Sequence, residues 1–143
     1  MKRIIRFVCI LLAVSMLVPS TAFAAENVEP RVSNFFASQA AYIEELSTTK
    51  FEVWFEVTAV SGMDVLGAKT IKVQRSLDHS DWETVKTYSM DDYSSMTATN
   101  TAGHTGYVTY TGASSSYYYR AVVTFYAKNS SGIGEYTLAT SYI

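Results

Sequence analysis

Tyr117-Tyr118-Tyr119-Arg120-Ala121-Val122-Val123-Thr124-Phe125-Tyr126-Ala127-Lys128 is the longest stretch of this chain written in twos. Successive side chains of a strand point to opposite faces, so Tyr117, Tyr119, Ala121, Val123, Phe125 and Ala127 fall on one side and belong in a core. Tyr118, Arg120, Val122, Thr124, Tyr126 and Lys128 fall on the other side. The same period runs upstream. Phe51, Val53, Phe55, Val57 and Ala59 alternate with Glu52, Trp54, Glu56 and Thr58, and Ile71 and Val73 alternate with Thr70, Lys72 and Gln74. Phe55, Val57, Tyr119, Val123 and Phe125 are therefore the expected core.

Turn signals rich in Gly, Ser, Asp and Asn separate these runs: Ser61-Gly62, Leu66-Gly67, Asp78 to Asp81, Thr111-Gly112 and Asn129 to Gly134. β-branched and aromatic residues fill the runs and suit a pleated, half-buried surface. This spacing predicts an all-β, antiparallel sandwich of about seven strands. Gln39 to Leu46 reads equally as a helix or as a strand centred on Tyr42 and Ile43. Met90 to Gly103 has no period and few large apolar residues, which predicts the longest loop.

The start of the chain reads differently. Lys2, Arg3 and Arg6 precede an apolar run from Phe7 to Val18, and Ala22-Phe23-Ala24 supplies small residues where a signal peptidase cuts. The expectation is a helical, Sec-type signal peptide over residues 1–24, cleaved after Ala24, then an arm over 25–30 and the β-sandwich domain over 31–143. The apolar run is too short and wrongly flanked for a membrane span. Taking residues 1–24 from the 143-residue chain leaves 119, enough for one small domain. The leader holds three of eleven basic residues and none of thirteen acidic ones, so the exported form carries eight against thirteen, a net charge of −5. That sign argues against nucleic acid or an anionic membrane as partner. Cys9 is the sole cysteine and leaves with the leader, so the exported domain is expected to have no disulfide, thiol nucleophile or cysteine metal ligand.

Ile71-Lys72-Val73-Gln74-Arg75-Ser76, a polar turn, Trp82-Glu83-Thr84-Val85 and then Tyr117-Tyr118-Tyr119-Arg120-Ala121-Val122 resemble the C, C′ and F strands of fibronectin type III domains, an immunoglobulin-like fold. The chain also resembles a family of small exported proteins of Gram-positive bacteria with no assigned function. Arg31-Val32-Ser33-Asn34-Phe35-Phe36, Met63-Asp64-Val65-Leu66-Gly67-Ala68 and Tyr119 to Ala127 carry that likeness, which spans nearly all of residues 31–143. It implies a fold and an exported habit, and brings no catalytic residues with it. In the fibronectin pattern a tyrosine at the start of the F strand contacts the preceding loop. Tyr117 is the expected one, with Tyr119 next.

Candidates for chemistry are sparse. His79 and His104 both fall in predicted turns, where a lone histidine is ordinarily solvated. Ser114 to Ser116, His104 and Asp91 or Asp92 supply the residue types of a hydrolytic triad, yet no nucleophile-elbow motif surrounds the serines. Asp78-His79-Ser80-Asp81 and Asp91-Asp92 offer oxygens but not the fixed offsets of a calcium loop, and capping of a turn explains them. Asn129-Ser130-Ser131 matches a glycosylation acceptor and reads better as a turn. No cofactor, catalytic residue or metal ligand is expected.

The outward side of the strands is richer. Tyr118, Arg120 and Tyr126 share a face, and in a fibronectin-like arrangement Lys72 and Gln74 join them. Flat rings beside hydrogen-bonding heads suit a protein or glycan partner, and cross-strand pairing of a solvent face is the plainer explanation. Trp54, between Glu52 and Glu56, is expected to be covered by Phe35-Phe36, and Trp82 to pack against an edge. The expected function is a secreted, non-enzymatic recognition or surface-interaction module, acting through this face or through Met90 to Gly103. A self-associating component of the cell surface or matrix is the alternative. A secreted hydrolase comes last.

Overall fold

Residues 34–143 are described by the computed structural model. They form six strands: β1 (Phe36–Ser47), β2 (Lys50–Ser76), β3 (Glu83–Ser89), β4 (Thr97–Tyr110), β5 (Tyr118–Asn129) and β6 (Gly132–Ala139). One 3₁₀ turn, Ser94–Met96, precedes β4. The expected signal peptide, its cleavage point and the arm over 25–30 lie outside the described residues.

β2 organises the whole. It runs for 27 residues, and every strand except β6 pairs with it in antiparallel fashion. β1 and β4 flank its first half, placing Tyr42, Trp54 and Tyr107 in one cross-strand row. β5 and β3 flank its second half, placing Arg120, Gln74 and Thr84 in another. The two halves are joined at Gly67, which faces Thr97 of β4 on one side and Tyr126 of β5 on the other. β6 extends the sheet beyond β5. Irregularities after Thr58 and after Ala68 bend β2, as bulges do, and the antiparallel sheet curls around its buried face.

That face is the expected one. Phe55, Val57, Val123 and Phe125 are wholly buried and Tyr119 nearly so, together with Phe51, Val53, Met63, Leu66, Ile71, Val73 and Met96. Alternation with period two is what lets one strand feed a core with every second residue. Tyr88 closes one flank, its hydroxyl donating to the Thr109 carbonyl at 2.7 Å. Burial pushes that phenol up to about 12.

Several local expectations need correction. The described residues hold six strands, not about seven, because β2 passes straight through the signals at Ser61-Gly62 and Leu66-Gly67. Gly67 is needed for close approach rather than for a turn: a Cβ there would lie 2.1 Å from the Met96 carbonyl oxygen. Met90 to Gly103 is not one long loop either. A turn and the 3₁₀ segment take up its first part, and from Thr97 it is strand, with Thr97, Thr99 and Thr101 opposite Gly67, Val65 and Met63. Thr-Ala-Thr-Asn-Thr-Ala carries no large apolar residue, so the period has nothing to show itself by. Gln39 to Leu46 adopts the strand alternative, with Tyr42 outward and Ile43 half-buried.

Tyr119, and not Tyr117, makes the contact with the loop before β5. Its phenol oxygen accepts the Ser114 amide at 3.0 Å. Tyr117 lies under the Arg75 guanidinium, 4.5 Å from its ring centre.

Candidate functional site

Gln74 of β2 sits directly opposite Arg120 of β5, so their side chains emerge together on the outward face. Arg120 Nε donates to Gln74 Oε1 at 2.9 Å, and Gln74 Nε2 donates to Thr84 Oγ1 of β3 at 3.2 Å. The planar guanidinium lies over the Trp82 ring at 4.3 Å. A cation held over an indole, with its Nε already hydrogen-bonded, has lost much of its rotamer freedom before any partner arrives.

The β2–β3 turn presents the rest of the cluster. Ser76 Oγ accepts the Asp78 and His79 amides at 3.2 and 3.0 Å, and donates to Asp78 Oδ1 at 3.1 Å. Asp78 Oδ1 also accepts the amides of Ser80 at 2.9 Å and Asp81 at 3.3 Å. These bonds, the Ser80 amide foremost, hold its carboxyl down at about 2. Within this knot His79 takes a left-handed backbone, φ 66°, and its carbonyl accepts Trp82 Nε1 at 3.1 Å. Its ring lies 3.7 Å from that of Tyr118 and 4.2 Å from that of Tyr142. Tyr142 also approaches Tyr118 at 5.8 Å and Trp82 at 6.5 Å.

Four of the five expected face residues are thus on one surface: Tyr118, Arg120 and Gln74 in or beside the cluster, and Lys72 exposed two positions along β2. Tyr126 is a correction. It shares their parity but is only 8% exposed. Its strand neighbours are Gly67, which has no side chain, and Glu135, whose 2.6 Å ion pair with Lys69 lies near its phenol. His79, Trp82 and Tyr142 are the residues that sequence reasoning did not add to this face. The polar turn adjoining a Tyr-Arg strand was the available signal, and nothing short of the fold links Tyr142 to it.

The triad does not assemble. His104 lies on β4 rather than in a turn, its ring half-buried against Phe55 at 5.5 Å and its Nε2 at 3.0 Å from the Ser95 carbonyl. No hydrogen bond joins it to Asp91, Asp92 or Ser114 to Ser116 among the described residues. Asp91 pairs with Ser89, and Ser114 Oγ accepts the Ser116 amide. Phe36 is buried in the core and Phe35 lies beside Gly134 of β6 rather than over Trp54. Tyr42 and Tyr107 flank it instead, with ring centres 6.3 and 4.6 Å away. No family model, curated protein or solved structure matches the chain.

Proposed function

We propose that this protein is an exported, non-enzymatic recognition module with a fibronectin type III-like, immunoglobulin-like sandwich, which meets a protein or glycan partner through the Arg120–Trp82–Tyr118 surface. The observation that carries this reading is the pre-ordered Arg120, stacked on Trp82 and bonded to Gln74, beside Tyr118 and Tyr142 at 41% and 54% exposure. Arg, Trp and Tyr dominate interface energetics: Trp and Tyr supply large contact area with few rotamers to lose, and Arg120 is already held by Trp82 and Gln74. An arginine held only for stability would ordinarily be paired with a carboxylate, as Arg75 is with Glu83 at 2.9 Å. Arg120 has aromatic and amide partners, which leave its charge available.

The sandwich reading is supported by strand pairing. The resemblance implies that Ile71–Ser76 lies between the Trp82–Val85 and Tyr117–Val122 segments, and β2 is flanked there by β3 and β5. The exported habit rests on the Lys2 to Ala24 leader. The test compares the parent with Arg120→Gln and with Tyr118→Ser/Tyr142→Ser, on glycan arrays and on surface-protein extracts. Binding should fall in both variants while their melting temperatures stay near that of the parent. Undiminished binding in folded variants would refute the assignment.

A further inference from the structure

The row formed by Tyr42, Trp54 and Tyr107 lies on a different surface, the outward side of β1, β2 and β4. Tyr42 is 52% and Tyr107 48% exposed. A recess of about 520 Å³, lined among others by Trp54, His104, Thr105 and Tyr107, opens beside the row. Three large rings in register are more exposed aromatic area than a solvent face needs for cross-strand stiffening.

The charges nearest Trp54 are acidic, with Lys50, two residues before Glu52 on the same strand face, and Lys86, which lines a recess with Tyr107, at the borders of the row. Glu44 sits directly opposite Glu52, and Glu52 and Glu56 flank Trp54 on its own strand face. Glu52 Oε2 accepts Trp54 Nε1 at 3.1 Å, which ties a carboxylate to the indole edge. None of the three is in an ion pair: the two ion pairs among the described residues are Lys69–Glu135 and Arg75–Glu83. Like charges directly opposite one another weaken a sheet, and they gain most from an incoming cation. Ring faces carry negative potential too, so rings and carboxylates favour the same sign of partner.

Spacing selects the form of that cation. Glu52 and Glu56 lie four residues apart along β2, about 13 Å at strand rise, and the row crosses three strands about 4.8 Å apart. That spread suits positive heads repeated along a chain rather than one small ion. We propose that the Tyr42–Trp54–Tyr107 face is a docking surface for a basic, extended polypeptide segment. Its Lys or Arg heads meet Glu44, Glu52 and Glu56, and their aliphatic stems lie along the rings.

Titrating the protein with oligolysine and oligoarginine, against oligoglutamate as control, tests this by calorimetry and by the NMR signal of the Trp54 indole N–H. The expected result is saturable binding of both basic peptides that moves the Trp54 signal, with none for oligoglutamate. Binding should weaken as salt shortens the screening length. Glu52→Gln/Glu56→Gln should lower affinity about tenfold or more, and Tyr42→Ser should lower it as well. Both sets of changes are outward and leave the core intact, which melting curves verify. Equal affinity in the folded variants, or binding that leaves Trp54 unmoved, would overturn the proposal. So would a neutral oligosaccharide engaging Trp54 where the basic peptides do not. Concentration-dependent self-assembly abolished by Tyr42→Ser would overturn it in favour of a second copy as occupant. None of these readouts touches Arg120, so this face can fail while the Arg120 surface stands.

Discussion

The Tyr119 phenol accepts the Ser114 backbone N–H at 3.0 Å, pinning the loop before β5 to the core. The same ring is buried against Phe51 at 5.4 Å and Tyr110 at 5.9 Å, so Tyr119→Phe keeps the packing and deletes only the bond. The expected loss is about 1 kcal/mol, the net worth of such a bond where water can reach the freed amide. Tyr117→Phe should change stability by less than about 0.5 kcal/mol. Urea denaturation of the two variants separates them, and equal losses would show that the pin is not what holds the loop.

Gly67 is where β4 and β5 both reach β2. An added methyl there would sit 2.1 Å from the Met96 carbonyl oxygen and 2.7 Å from the Thr97 Cα, both backbone atoms that cannot swing away. Gly67→Ala should therefore destabilise by about 3 kcal/mol, at the upper end for overpacking. Gly62 has nothing within 4 Å of its virtual Cβ, and Gly62→Ala should stay within about 0.5 kcal/mol of the parent. Comparable melting temperatures for the two would mean that the junction at Gly67 is looser than drawn.

Phe55 and Phe125 are fully buried on the two halves of the sheet that share one core. Truncation of either to Ala should cost about 3 to 5 kcal/mol, a large fraction of a small domain's stability. Chemical denaturation reads it directly. A loss under about 1 kcal/mol in either would mean that its half of β2 or β5 is in the wrong register.

The core was legible because Phe55, Val57, Val123 and Phe125 recur every second residue among polar neighbours, a pattern that survives any tertiary detail. β4 was illegible for the opposite reason: its Thr, Ala and Gly residues pair through backbone bonds and bury little. Gly67 was misread because a glycine that admits a neighbouring backbone looks the same in sequence as one that makes a turn. Parity assigned Tyr118, Arg120 and Tyr126 to one face, but parity says nothing about what lies over each position. Tyr126 is buried, and Tyr118 is not. The Tyr42–Trp54–Tyr107 row needs the register of three strands, which no single stretch contains.

Asp78 ties stability to the geometry of the Arg120 surface. Its folded carboxyl is held at about 2 against an ordinary 3.8 by the amides of Ser80 and Asp81 and the Ser76 hydroxyl. A depressed value means that the fold favours the carboxylate, so its contribution is present above about pH 4 and fades as pH falls towards 2. Asp78→Asn keeps an oxygen acceptor without the charge. It should melt lower than the parent at neutral pH, and the gap should close between pH 4 and pH 2. Asp78→Ala should go further, releasing the turn that sets the left-handed His79 and, through the His79 carbonyl, Trp82 beneath Arg120. Its partner binding should drop with the core still folded. A carboxyl NMR titration of Asp78 with its midpoint at the ordinary value, or full binding by the Ala variant, would show that the turn does not organise this surface.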